Sequence, residues 1–83
     1  MAAPRHELLL PDLGLGGATI TACTWLSDVG TRVYEGDRLL EVLAGEVTVD
    51  LPAPATGILV QQCVGEDDEL QVGQLLGVVE EAV

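Results

Sequence analysis

The groups in this chain able to do chemistry are few and scattered. Two thiols, Cys23 and Cys63, lie far apart in the sequence, with no CxxC pairing and no second cluster of metal-ligand residues. That pattern reads as two free, mostly buried thiols in a reducing compartment, with a disulfide between them left open. His6 stands alone near the N-terminus, with no nucleophile or ligand partner at a useful spacing. The Ser and Thr residues have no accompanying base, so a Ser–His–Asp arrangement is not arguable. The run Glu66-Asp67-Asp68-Glu69 lacks the alternating oxygen ligands of a calcium loop and reads as a solvated turn. No catalytic residue and no metal ligand is assigned. One absence bears most on chemistry: the chain contains no lysine, its three cationic residues being Arg5, Arg32 and Arg38.

Fourteen acidic residues against these arginines give a net charge of −11. Such a surface repels phosphate backbones and anionic lipid heads, which argues against nucleic-acid and membrane-surface binding and leaves a basic or amphipathic protein patch as the natural complement. No stretch approaches the roughly 20 apolar residues of a membrane span. The opening segment MAAPRHE has no apolar core followed by a cleavage site, so the expected location is the cytoplasm.

These residues must be positioned by short elements. Turn signals recur at Gly14, Gly16-Gly17, Asp28-Val29-Gly30, Glu35-Gly36-Asp37, Gly45, Pro52-Ala53-Pro54, Gly57, Gly65 and Gly73, leaving no window long enough for a helix of 3.6-residue period. The apolar runs between them predict strands near residues 6–10, 19–26, 31–34, 38–43, 47–51, 57–64, 69–72 and 75–80, and with them an all-β sandwich or barrel. Residues 1–83 are expected to form one domain, with its core over about 7–80. With no Phe, one Trp25 and one Tyr34, that core must be built from Leu, Val, Ile and Ala.

The chain also repeats itself. A shift of 37 residues lays Val33-Tyr34-Glu35-Gly36 on Leu70-Gln71-Val72-Gly73, Leu39 on Leu76, Val42 on Val79, and Val29-Gly30-Thr31 on Glu66-Asp67-Asp68. Asp67 thus falls where the first copy has Gly30, an exchange that Asp's tolerance of turn conformations permits. Two half-chains of one pattern predict two similar sheets related by a pseudo-twofold axis, each covering the other's apolar face.

Pro11-Asp12-Leu13-Gly14, Trp25-Leu26, Gly30-Thr31-Arg32-Val33, Gly36-Asp37-Arg38-Leu39, Glu41-Val42 and Pro52-Ala53-Pro54-Ala55-Thr56-Gly57 together resemble a lipoyl domain of the biotinyl/lipoyl-attachment family, as found in the acyltransferase component of 2-oxo acid dehydrogenase complexes. The resemblance runs over about residues 7–80. It implies a barrel-sandwich hybrid of two four-stranded antiparallel sheets, with a lysine at a hairpin tip that carries lipoate through an amide. Ser27 and Gln62 depart from it, standing where the family usually has core aliphatics, with Cys63 as a partial replacement for the missing apolar volume. Trp25 is expected to be a packing residue rather than a ligand platform.

Counted from Glu41-Val42 forward or from Pro52 backward, the lysine-equivalent tip is Gly45, Glu46 and Val47, within Ala44–Val47, with Glu46 at the lysine position. A carboxylate cannot form the lipoyl amide, so no cofactor is expected although the resemblance implies lipoate. Gly-Glu is also simply a good solvated turn. The expected function is a degenerate, non-catalytic interaction module whose partners include subunits of a 2-oxo acid dehydrogenase-type complex. Two alternatives stand beside it. One is a carrier acylated at Cys23 or Cys63. The other is a barrel-sandwich segment of a transport or secretion adaptor, in which a long helical hairpin would usually separate the two half-motifs.

Overall fold

The computed structural model describes residues 3–81 and is built of strands: β1 (Arg5–Leu9), β2 (Ile20–Trp25), β3 (Arg32–Val33), β4 (Arg38–Ala44), β5 (Val47–Pro52), β6 (Gly57–Gln62), β7 (Glu69–Leu70) and β8 (Leu75–Glu81). They form two four-stranded antiparallel sheets, ordered β1-β8-β6-β3 and β5-β4-β2-β7. The predicted strands are all present. The expected segments 31–34 and 69–72 shorten to two residues each, because Tyr34 to Asp37 and Gln71 to Gln74 close tight turns through Asp37 N–H to the Tyr34 carbonyl (2.8 Å) and Gln74 N–H to the Gln71 carbonyl (3.0 Å).

The repeat is realised at the level of register. Displacing β2, β3 and β4 by 37 residues reproduces β6, β7 and β8. The pairing Ile20↔Ala44 becomes Gly57↔Glu81, and the irregularity between Ala22 and Thr24 becomes the one between Leu59 and Gln61. The crossing turns match as well. Gly30 N–H donates to the Leu59 carbonyl (2.7 Å), and Asp67 N–H donates to the Ala22 carbonyl (2.8 Å). Gly30 has φ 92° and Asp67 φ 68°, the one non-glycine in the left-handed region among the described residues. Asp is one of the few side chains that accept this conformation, so the exchange of Gly30 for Asp67 preserves the turn. The halves differ most between their first two strands, where residues 10–19 join β1 to β2 but only residues 53–56 join β5 to β6.

The core lies between the sheets and draws equivalent residues from both halves: Leu39 with Leu76, Val42 with Val79, Ala22 with Leu59, Val33 with Leu70, Leu8 with Leu51. Each fully buried Leu or Val contributes about 1.5–3 kcal/mol relative to exposure. No side-chain nitrogen or oxygen is buried without a partner among the described residues.

The margin of the core is closed by two reciprocal hydrogen bonds. The Trp25 indole N–H donates to the Val64 carbonyl (2.8 Å), and Gln62, its repeat equivalent, donates through Nε2 to the Ser27 carbonyl (2.9 Å). Gln62 therefore does not replace a core aliphatic with a loss. It ties sheet to crossing loop as Trp25 does, by satisfying a backbone acceptor. The expectation that Cys63 restores apolar volume fails: β6 ends at Gln62, and Cys63 is exposed beyond it. Trp25 is half-buried and packs against the core, as expected of a packing residue.

Two glycines are required by close approach rather than by turn geometry. A Cβ on Gly57 would collide with the Glu80 carbonyl, and one on Gly77 would lie 2.8 Å from the Gln61 carbonyl oxygen and 2.9 Å from the Trp25 ring. Backbone cannot yield as a side chain tip can. Gly57→Ala is therefore expected to lower stability by at least ~2 kcal/mol in urea unfolding. Gly65→Ala, whose Cβ would meet only Asp68 Oδ2 at 3.9 Å, should change it little.

Candidate functional site

The β4–β5 hairpin turns on two residues, Gly45 and Glu46, between the paired Ala44 and Val47. Gly45 has φ 62° while Glu46 stays at negative φ, the pattern of a type II′ turn, whose twist matches the flanking strands. Ala44 is buried, so the hairpin is rooted in the core up to its last paired residue. Gly45 N–H donates to the Thr19 carbonyl (3.1 Å), which fastens the tip to the long β1–β2 connection. A Cβ at Gly45 would stand 3.7 Å from the Ala18 Cβ, an ordinary contact. Beyond this anchor Glu46 and Val47 are exposed, and the Glu46 carboxylate makes no hydrogen bond or ion pair among the described residues. The tip thus presents an exposed carboxylate on a turn seated against the β1–β2 connection, and no nucleophilic amine.

None of the other candidate residues belongs to this tip, and the acidic run lies beside Cys23 through the Asp67 N–H to Ala22 carbonyl bond (2.8 Å). Cys23 sits at the irregularity of β2, between the pairs Ala22↔Val42 and Thr24↔Glu41, and is half-buried. Its thiol pKa is pushed up, first by burial and then by the negative charges of Glu41 and Asp67. The thiols are free, and the expectation that both are mostly buried holds for neither: a bulge breaks the inward–outward alternation at Cys23, and Cys63 lies past the end of its strand. His6 meets Glu81 through Nε2 at 3.0 Å on the surface. In the acidic run, Asp68 Oδ2 accepts from Gly65 N–H (2.8 Å) and closes a turn on itself. Among the described residues no three His, Cys, Asp or Glu side chains are grouped to hold a metal ion, and no helix is long and apolar enough to cross a membrane.

Both the barrel-sandwich of repeated half-motifs and the two-residue β4–β5 hairpin are those of a biotin/lipoyl attachment domain. The chain belongs to the biotin/lipoyl attachment family, whose model, described as "Biotin-requiring enzyme", matches residues 6–79. It is 34% identical over 76 residues to the dihydrolipoyllysine-residue acetyltransferase component of the acetoin cleaving system of Pseudomonas putida, covering 92% of this chain and 20% of that protein. It is 32% identical over 75 residues to the succinyltransferase component of the 2-oxoglutarate dehydrogenase complex of Bacillus subtilis, covering 90% of this chain and 18% of that one. The chain thus spans a fifth or less of these curated relatives. The solution structure of the lipoyl domain of the 2-oxoglutarate dehydrogenase complex from Azotobacter vinelandii matches with a TM-score of 0.68 at 23% identity, over 96% of this chain and all of that one. The urea carboxylase of Kluyveromyces lactis contains a similar fold, with a TM-score of 0.79 at 18% identity over 95% of this chain and 6% of that enzyme.

The two thiols should react at different rates. Cys63 is exposed, whereas Cys23 is half-buried with a raised pKa and so is less ionised at a given pH. Alkylation at mildly alkaline pH, followed by mass spectrometry, should label Cys63 well before Cys23. In a Cys63→Ser variant only the slow phase should remain, rising in rate with pH.

Proposed function

We propose that this chain is a non-carrier member of its family, a cytoplasmic, non-catalytic domain that works by surface recognition and bears neither lipoate nor biotin. The observation that carries this reading is the Gly45-Glu46 turn. The hairpin projects as an attachment hairpin does, yet the position we equate with the attachment lysine is Glu46, and the chain contains no lysine to take its place. Attachment of either cofactor to a protein lysine needs the ε-amine as nucleophile. The γ-carboxylate of Glu46 has no nitrogen to form that amide, so the residues at the tip do not fit the group.

What remains is a domain with its scaffold intact. The relatives named above are acyltransferase components of the acetoin cleaving and 2-oxoglutarate dehydrogenase systems. Subunits of a 2-oxo acid dehydrogenase-type complex are accordingly the partner class we assign. The strongly acidic surface supports a basic complementary patch on that partner. The two-residue hairpin favours this reading over an adaptor segment, which would carry an insertion between the half-motifs.

The double substitution Gly45→Asp with Glu46→Lys tests the register. An aspartate at position 45 must bear a φ of 62°, which strains a side chain whatever the space, so Glu46→Lys alone, with Gly45 kept, is tested beside the double variant. Incubated with a lipoate-attaching enzyme, lipoate and ATP, the lysine variants should gain the mass of one lipoyl group while the parent chain gains none. Folded variants that both stay unmodified would contradict the assignment of Glu46 to the lysine position.

A further inference from the structure

The two halves of the repeat meet not only in the core but in a groove at the surface. β1 and β5 are edge strands, one of each sheet. Between them lies a shallow cleft of about 350 Å³ lined by Leu8, Leu9 and Pro11 from one half and Leu51, Pro52 and Pro54 from the other. These are equivalent positions: Leu8 and Leu51 pair with Gly77 and Leu40, and Leu9 and Pro52 with Leu75 and Arg38, in the two copies of one register. Leu8 and Leu51 form a buried floor, while Leu9 stands 46% exposed on the wall.

We infer that this groove is a docking site for an extended peptide segment whose apolar residues are flanked by lysine or arginine. Three observations fix that occupant. The lining is almost wholly apolar, and its volume is near the lower limit of ligand clefts (about 300–1,000 Å³), which suits a short segment rather than a domain face. Its one charged lining residue is acidic: Glu7 is exposed and has no ionic partner among the described residues, in a chain of net charge −11. Finally, Pro11, Pro52 and Pro54 in the lining offer no backbone donor, so at this end of the two strands a guest segment is held chiefly by its apolar side chains and end charges. A second copy of this chain would bring its own net charge of −11 against the same carboxylate.

The inference extends the reading of the chain as a protein-binding module but requires nothing of the hairpin tip. Val47 to Pro52 separates the groove from the tip by about 17 Å at ~3.3 Å per residue. The test is an NMR titration of the isotope-labelled chain with three peptides that share one Leu/Val core and differ in flanks: lysine, serine or glutamate. The lysine-flanked peptide should shift the amides of Leu8, Leu9, Leu51 and Ala53. Serine flanks should weaken binding at least ~10-fold, and glutamate flanks should abolish it. Leu9→Asp and Glu7→Lys, both at exposed positions, should each weaken it by a similar factor, and Glu46→Gln should leave it unchanged. Equal binding of all three peptides, shifts confined to residues 66–69, or groove shifts that depend on protein concentration alone would each overturn the assignment. Loss of binding in Glu46→Gln would instead transfer recognition to the tip. If Leu9→Asp unfolds, the charge reversal at Glu7 still decides.

Discussion

The molecule depends on one constraint: each four-stranded sheet has an apolar face that water cannot be allowed to reach, and only the other sheet is available to cover it. No aromatic cluster helps, so the interface is an interdigitation of Leu and Val from equivalent positions in the two halves. The loops that cross from one sheet to the other are held by the same bonds twice over, down to the left-handed residue at the turn. The reciprocal donation by Trp25 and Gln62 then ties each sheet to the loop that leaves the other. Hydrogen bonds of this kind contribute about 0.5–1.5 kcal/mol each net, but leaving their buried carbonyls unpaired would cost more.

Symmetry also explains where the molecule is free to vary. In the first half β4 is followed by β5 through a two-residue turn. The ten-residue β1–β2 connection has only a four-residue counterpart, and it reaches the hairpin through the Thr19–Gly45 bond. The long connection that breaks the repeat is thus fastened to the hairpin turn.

Much of this was legible in the residues. Turn-forming Gly and Asp spaced between apolar runs mark the eight strands, and the 37-residue shift carries register, bulge and turn together because all three are properties of the local pattern. Asp67 in place of Gly30 was readable since few other residues accept that backbone conformation. Gln62 was not: its partner is a main-chain carbonyl at Ser27, which no spacing in the sequence reveals. Cys63 was misplaced because a strand's last residue decides which way the next side chain faces. The groove between β1 and β5 was invisible for a further reason. It arises from two edges that are adjacent only after the sheets have stacked.

The proposal that the hairpin with Gly45-Glu46 bears no attached group is chemical, and it can be measured directly. The most direct measurement is the intact mass of the protein purified from its own host, with peptide mapping across residues 38–52. The account predicts the unmodified sequence mass at the tip and no lipoyl or biotinyl addition anywhere in the chain. A lipoyl or biotinyl addition mapped to any residue of the chain would contradict it.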